Sequence, residues 1–69
     1  MIKGGYNMNI KNKYIKCIKT NRLTGIKKGV YYLVIDSEYD NFSLKILVNK
    51  EKIWFRSYYF DLNDIKNKL

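Results

Sequence analysis

Apolar and polar residues alternate most cleanly between Phe42 and Val48, where Phe42, Leu44, Ile46 and Val48 interleave with Ser43, Lys45 and Leu47. A period of two sends successive side chains to opposite faces, so this run predicts a β-strand. Upstream, Val30 to Ile35 is apolar on both faces, with Tyr32 and Val34 on one side and Tyr31, Leu33 and Ile35 on the other. That is the pattern of a strand covered from both sides. Asp36-Ser37-Glu38-Tyr39-Asp40-Asn41 separates the two strands as a turn, and Asn49-Lys50-Glu51-Lys52 turns the chain back into an aromatic run from Ile53 to Leu62. Ser57 to Phe60 reads as a short tight turn within that run, followed by a brief last strand through Phe60 and Leu62. Asn63 or Asp64 can cap a single helical turn, with Ile65 to Leu69 fraying beyond it.

The first half is less periodic. Between Tyr14 and Thr20 two patterns compete: Ile10, Tyr14, Cys17 and Ile18 fall at helical spacing, whereas Ile15 and Cys17 alternate around Lys16. The β-branched and aromatic content, with no Ala, Leu or Glu, favours a strand. Asn21 to Gly29 is a loop or open hairpin, and Gly29 just before Val30 suits a positive φ. Residues 1–11 read as a flexible tail and residues 12–69 as one small domain. Lys3-Gly4-Gly5 can be encoded by a purine-rich ribosome-binding sequence with Tyr6-Asn7 as spacer. Translation from Met8 and an ordinary glycine-containing tail are both open readings.

Sixty-nine residues make one domain, near the lower limit for a single core. An apolar fraction of 46 % with 16 % aromatic residues predicts folding rather than disorder. The single cysteine, Cys17, excludes an internal disulfide, and the absence of histidine argues against a zinc site; no cofactor is expected. Flanked by Ile15 and Ile18, Cys17 reads as a small buried hydrophobe; Lys16 and Lys19 would activate it only if it were exposed. No run reaches membrane-spanning length and no signal peptide is visible, so a cytoplasmic setting is expected.

The order of elements resembles the Src-homology-3-like barrel over roughly residues 13–62. Ile26-Lys27-Lys28-Gly29 leading into Val30 to Ile35 is similar to that family's turn into its second strand. Ser57-Tyr58-Tyr59-Phe60-Asp61-Leu62 is similar to its closing turn and final strand. The resemblance implies an all-β, five-stranded small barrel with a core of Ile26, Tyr32, Val34, Ile46, Phe55 and Phe60. The chain is also similar to short one-domain proteins of phages and mobile elements in low-GC bacteria. That likeness rests on Lys16-Cys17-Ile18, the Gly29 to Tyr32 turn and Phe60-Asp61. Proline-rich peptide binding is not implied: only Tyr59 matches a position of that groove, Ser43 stands at its tryptophan and Arg56 at its proline.

Charge is distributed unevenly. The net charge is +8, and residues 1–28 hold eight Lys or Arg without an acid, whereas residues 29–69 hold six basic and six acidic residues. Two readings are open. One is lysine enrichment on a solvated edge strand, amplified by the Lys-, Asn- and Ile-rich usage of an A/T-rich genome. The other is a one-sided positive field for phosphates or an acidic protein face. The candidate partner-binding residues are Lys16, Lys19, Arg22, Lys27 and Lys28 for charge, with Tyr31, Trp54, Arg56 and Tyr59 as surface aromatics and interface anchors.

No catalytic grouping is present in the sequence: there is no histidine, Ser43 and Ser57 lack a base, and Asp36, Glu38 and Asp40 read as a solvated turn. A non-enzymatic module binding an acidic protein is expected. Nucleic-acid binding is the alternative, and weak self-pairing through Tyr14 to Thr20 or the last strand is a third.

Overall fold

The computed structural model describes residues 8–69. The expectations about a ribosome-binding leader and a start at Met8 concern residues 1–7 and lie outside the described residues. Five strands follow in order: β1 (Tyr14–Cys17), β2 (Tyr31–Glu38), β3 (Ser43–Val48), β4 (Glu51–Arg56) and β5 (Phe60–Lys66), with one 3₁₀ turn (Ser57–Tyr59) between the last two. They form a single antiparallel sheet in the order β4-β3-β2-β1-β5. The molecule is all-β, and the sheet is open, with β4 and β5 as its edges.

The alternation seen in sequence decides what is buried. Leu44, Ile46 and Val48 of β3 face a core completed by Ile15 and Cys17 of β1, Val34 of β2, Phe55 of β4 and Phe60 of β5. Ile26, from the β1–β2 loop, is also fully buried there, and Tyr32 packs against the cluster. Five of the six residues expected in the core therefore belong to it, and the sixth, Tyr32, is partly buried against it. Aromatic rings join the two edge strands across the interior: Phe55 meets Phe60 and Tyr59 edge-on, each at 5.7 Å between centroids, and Tyr32 meets Phe60 at 6.5 Å.

Several boundaries differ from the pattern. The competition over Tyr14 to Thr20 resolves as strand, with Ile15 and Cys17 on the inner face. That strand lies between β2 and β5, so its backbone is used on both sides. The edge-strand reading of its lysines, and edge pairing through Tyr14 to Thr20, are accordingly overturned. The acidic turn is shorter than expected. Asp36, Ser37 and Glu38 extend β2 because they pair with Lys45, Leu44 and Ser43, after a register shift beyond Val34. The reversal falls on Tyr39, Asp40 and Asn41, all at positive φ, and this removes Phe42 from the strand's alternation and leaves it half-exposed.

The β3–β4 reversal likewise contracts to Asn49 and Lys50, both at positive φ, with Val48 paired to Glu51. Two left-handed residues give the twist that a two-residue hairpin needs. No helical turn forms after Asn63. β5 continues to Lys66 because its pairing to β1 skips from Asp61 to Ile65, which restores an apolar residue to the inner side.

The folded part also begins earlier than expected: Ile10, assigned to a flexible tail, is 1 % exposed and belongs to the core. The backbone N–H of Asn12 donates to the Val34 carbonyl at 2.8 Å, and Asn41 Nδ2 donates to the Met8 carbonyl at 2.8 Å. Ile10→Ala is expected to cost about 2 kcal/mol, the low end for such truncations because a terminal segment can settle into the space. Urea unfolding followed by the single tryptophan reads it.

Cys17 is fully buried, and its thiol donates to the Lys19 carbonyl at 3.2 Å. Burial pushes the thiol above its ordinary value of 9.0, against an opposing effect of that hydrogen bond. The stability gained from keeping it neutral is complete below pH 9.0 and declines as the pH climbs through the raised value. Iodoacetamide should modify Cys17 only through transient opening, so its labelling rate should track the unfolding equilibrium across destabilised variants.

Candidate partner-binding surface

The longest connection, residues 18–30 between β1 and β2, is held in shape by its own polar groups. Asn21 organises its tip: Oδ1 accepts from the backbone N–H of Leu23 at 3.0 Å and of Thr24 at 3.2 Å, and its carbonyl accepts from Gly25 at 2.9 Å. Gly25, at φ +92°, makes the left-handed step that returns the chain to Ile26, whose carbonyl accepts from the Asn21 N–H at 3.0 Å. Further back, Thr20 Oγ1 accepts from the Lys28 N–H and the Tyr32 hydroxyl accepts from the Lys27 N–H. With Ile26 in the core as anchor, the loop is a built feature rather than a slack tether.

This scaffold leaves its side chains outside. Lys19, Arg22, Lys27 and Lys28 are all exposed, and Leu23 at the tip is 98 % exposed. Among the described residues, the ion pairs are Lys11–Asp36 at 3.8 Å and Lys16–Asp64 at 3.9 Å. The four cations of the loop have no carboxylate partner there.

Across from the loop tip lie the end of β4 and the 3₁₀ turn. The Tyr59 hydroxyl accepts from Asn21 Nδ2 at 3.3 Å, and the Ile18 N–H donates to the Tyr59 carbonyl at 2.8 Å, so loop and turn are tied together. Between them runs an open groove of about 400 Å³ bounded by Asn21, Thr24, Trp54, Arg56, Tyr58 and Tyr59. Trp54 is 43 % exposed and Tyr58 is 58 % exposed. Tyr58 stacks on Tyr59 with centroids 5.0 Å apart, and Lys19 Nζ lies over both rings at 5.6 and 5.4 Å. Lys45 Nζ lies 5.3 Å from the Trp54 ring. Arg56 rests over the Phe42 ring at 5.4 Å while its Nη1 donates to Ser43 Oγ at 3.1 Å.

Of the nine residues singled out in sequence, Trp54, Arg56 and Tyr59 line this groove and Lys19 covers one of its walls. Arg22 sits next to Asn21 on the loop, which also carries Lys27 and Lys28. Tyr31 and Lys16 fall elsewhere. They are cross-strand neighbours on β2 and β1, and both engage Asp64 of β5, Tyr31 through its hydroxyl at 2.7 Å. That hydrogen bond, then partial burial and the charges of Asp64 and Asp61, hold the Tyr31 phenol above its ordinary value. Lys66 lies over the same ring at 5.0 Å. Lys16 thus has a carboxylate neighbour and Tyr31 is a tie between strands.

Asn21, Thr24 and Leu23 were not singled out. The available signal was an Asn four residues ahead of a Gly, the composition of a tight side-chain-capped turn. A second depression of about 450 Å³ also borders Tyr58 and is lined by Met8, Ile18, Phe60 and Leu62. Among the described residues no three of His, Cys, Asp and Glu come together as a metal site, and no helix is long and apolar enough to cross a membrane. No family model, curated protein or solved structure matches the chain.

Proposed function

We propose that the protein is a non-enzymatic interaction module that holds an acidic face of a larger protein against the groove and the cationic loop. The observation that carries this reading is the placement of Lys19, Arg22, Lys27 and Lys28, without carboxylate partners among the described residues, on a loop whose tip walls a groove containing Trp54, Arg56 and Tyr58. Aromatic and arginine side chains are the usual anchors of protein interfaces, and the surrounding cations steer an acidic partner.

Nucleic acid is the second reading, supported by the same cations. Base stacking, however, needs free ring faces. Here Lys19 already lies over Tyr58 and Tyr59, and Lys45 over Trp54. A base stacking on those faces would have to displace the ammonium, whereas a carboxylate can pair with it, which favours carboxylates over bases.

The fold proposed for this module is a Src-homology-3-like barrel closed by side chains rather than by a backbone ladder. The Phe55–Phe60 contact between the two edge strands and the position of β1 between β2 and β5 support it. The wider setting we propose, from the resemblance of its short motifs, is a phage or mobile-element protein acting in the cytoplasm to modulate or inhibit a host factor.

Titrating the protein at low salt with poly-glutamate and with an oligothymidylate of equal charge, read through Trp54 emission, tests the choice. Poly-glutamate is expected to shift the emission and oligothymidylate to leave it unquenched. Strong quenching by oligothymidylate would transfer the function to nucleic acid. No response to poly-glutamate would remove the acidic-partner reading.

A further inference from the structure

Three consecutive residues, Trp54, Phe55 and Arg56, line the groove. Successive side chains of a strand point to opposite faces, so a depression touching all three runs along the strand's edge rather than over either face. That edge is unused. All six residues of β4 pair with β3, and among the described residues no backbone hydrogen bond joins β4 to anything on its other side. A row of free N–H and C=O groups beside a groove is a template for one more strand.

The side chains say what kind of strand fits. Lys52, Trp54 and Arg56 alternate along β4 and are all exposed, and Lys45 of β3, directly opposite Trp54, lies over its ring. Resting on the acidic-partner reading above, we propose that the free edge of β4 takes an extended acidic segment of that partner as a sixth strand. Two carboxylates four residues apart would lie opposite Lys52 and Arg56, with an apolar residue midway against Trp54. Residues directly opposite in a ladder share a face, and opposite charges there are favourable.

A second copy of the chain fits poorly. Antiparallel self-pairing of β4 centred on Trp54 sets Lys52 against Arg56, and centred on Ile53 it sets Lys50 against Arg56; like charges in opposed positions repel. The acidic residues of the other edge strand are already engaged. Asp64 holds Tyr31 and Lys16, and Asp61 Oδ1 accepts from the Asn63 N–H at 2.9 Å.

The probe is a capped peptide, Thr-Glu-Thr-Val-Thr-Glu-Thr, titrated at low salt into ¹⁵N-labelled protein. Expected are shifts along β4, slowed exchange at the alternate β4 amides that do not bond to β3, and about tenfold weaker binding when the peptide amides facing β4 are N-methylated. The Lys52→Glu, Arg56→Glu double variant should lose this peptide and bind its Lys-for-Glu counterpart, which keeps the test valid even if either variant is slightly destabilised. Equal affinity for the methylated peptide would overturn strand addition and leave the acidic-partner reading standing. So would binding of poly-glutamate without binding of the peptide. Failure of both ligands would overturn both. Self-association in sedimentation, with the same β4 amides slowed in the absence of peptide, would assign the edge to a second copy and likewise overturn the proposal.

Discussion

Phe60→Ala is expected to leave a large fraction of the protein unfolded at physiological temperature. Phe60 is 3 % exposed and is the ring on which three strands converge: Tyr32 of β2 meets it edge-on at 6.5 Å and Phe55 of β4 at 5.7 Å. Truncating a buried Phe to Ala costs about 3–5 kcal/mol. Edge-to-face pairs add roughly 0.5–1.5 kcal/mol beyond the area they bury. A domain of this size rarely holds more than about 3–5 kcal/mol in total, so one such loss consumes most of its stability. β4 and β5 share no backbone ladder, so their contact across the core rests on side chains, with the Phe55–Phe60 pair at its centre. Urea unfolding monitored by Trp54 emission gives the midpoint. Phe42→Ala, at a half-exposed ring outside the core, is the control and should shift the transition by about 1 kcal/mol or less. Equal effects of the two would mean that Phe60 does not hold the edges together.

The sheet was legible where alternation and burial coincide. Leu44, Ile46 and Val48, and Tyr32 with Val34, announce their inner face in the sequence and occupy it in the structure. What escaped was decided by pairing rather than by local pattern. Ile10 stands alone between Asn9 and Lys11 with no periodic neighbours, yet it is drawn into the core through backbone hydrogen bonds to β2 nearby. Asp36 to Glu38 look like a turn by composition, but their pairing with Lys45, Leu44 and Ser43 keeps the ladder going, and Asp36 finds its ion partner in Lys11, outside the strand. β5 survives its polar centre only because the register skips over it.

The candidate site divides in the same way. Trp54 and Arg56 follow from alternation about Phe55. The bond from Asn21 to Tyr59, 38 residues apart, and the capture of Tyr31 by Asp64, 33 residues apart, depend on the tertiary fold. A charge count alone could not separate Lys16, which has a carboxylate neighbour, from Lys19, which has none among the described residues.

Reversing the loop cations should therefore abolish partner binding without unfolding the protein. Lys19→Glu, Arg22→Glu, Lys27→Glu and Lys28→Glu together bring the net charge from +8 to zero. All four side chains are exposed and lack ion partners among the described residues. The hydrogen bonds that shape this stretch use the backbone N–H groups of Lys27 and Lys28, which the substitutions retain. The one intramolecular loss is Lys19 over the Tyr58–Tyr59 stack, worth about 0.5–1 kcal/mol. Like charges brought together across an interface cost several kcal/mol, so affinity for poly-glutamate should fall by roughly 10²-fold or more while the unfolding midpoint barely moves.

The same net charge reached through Lys13→Glu, Lys50→Glu, Lys66→Glu and Lys68→Glu removes Lys66 from the Tyr31 ring, away from the groove, and otherwise changes only the long-range field. Its effect should be smaller and should fade as salt shortens the screening length. If the two quadruple variants lose affinity equally at every salt concentration, binding follows total charge, and the loop that Asn21 and Gly25 hold against the 3₁₀ turn has no special part in it.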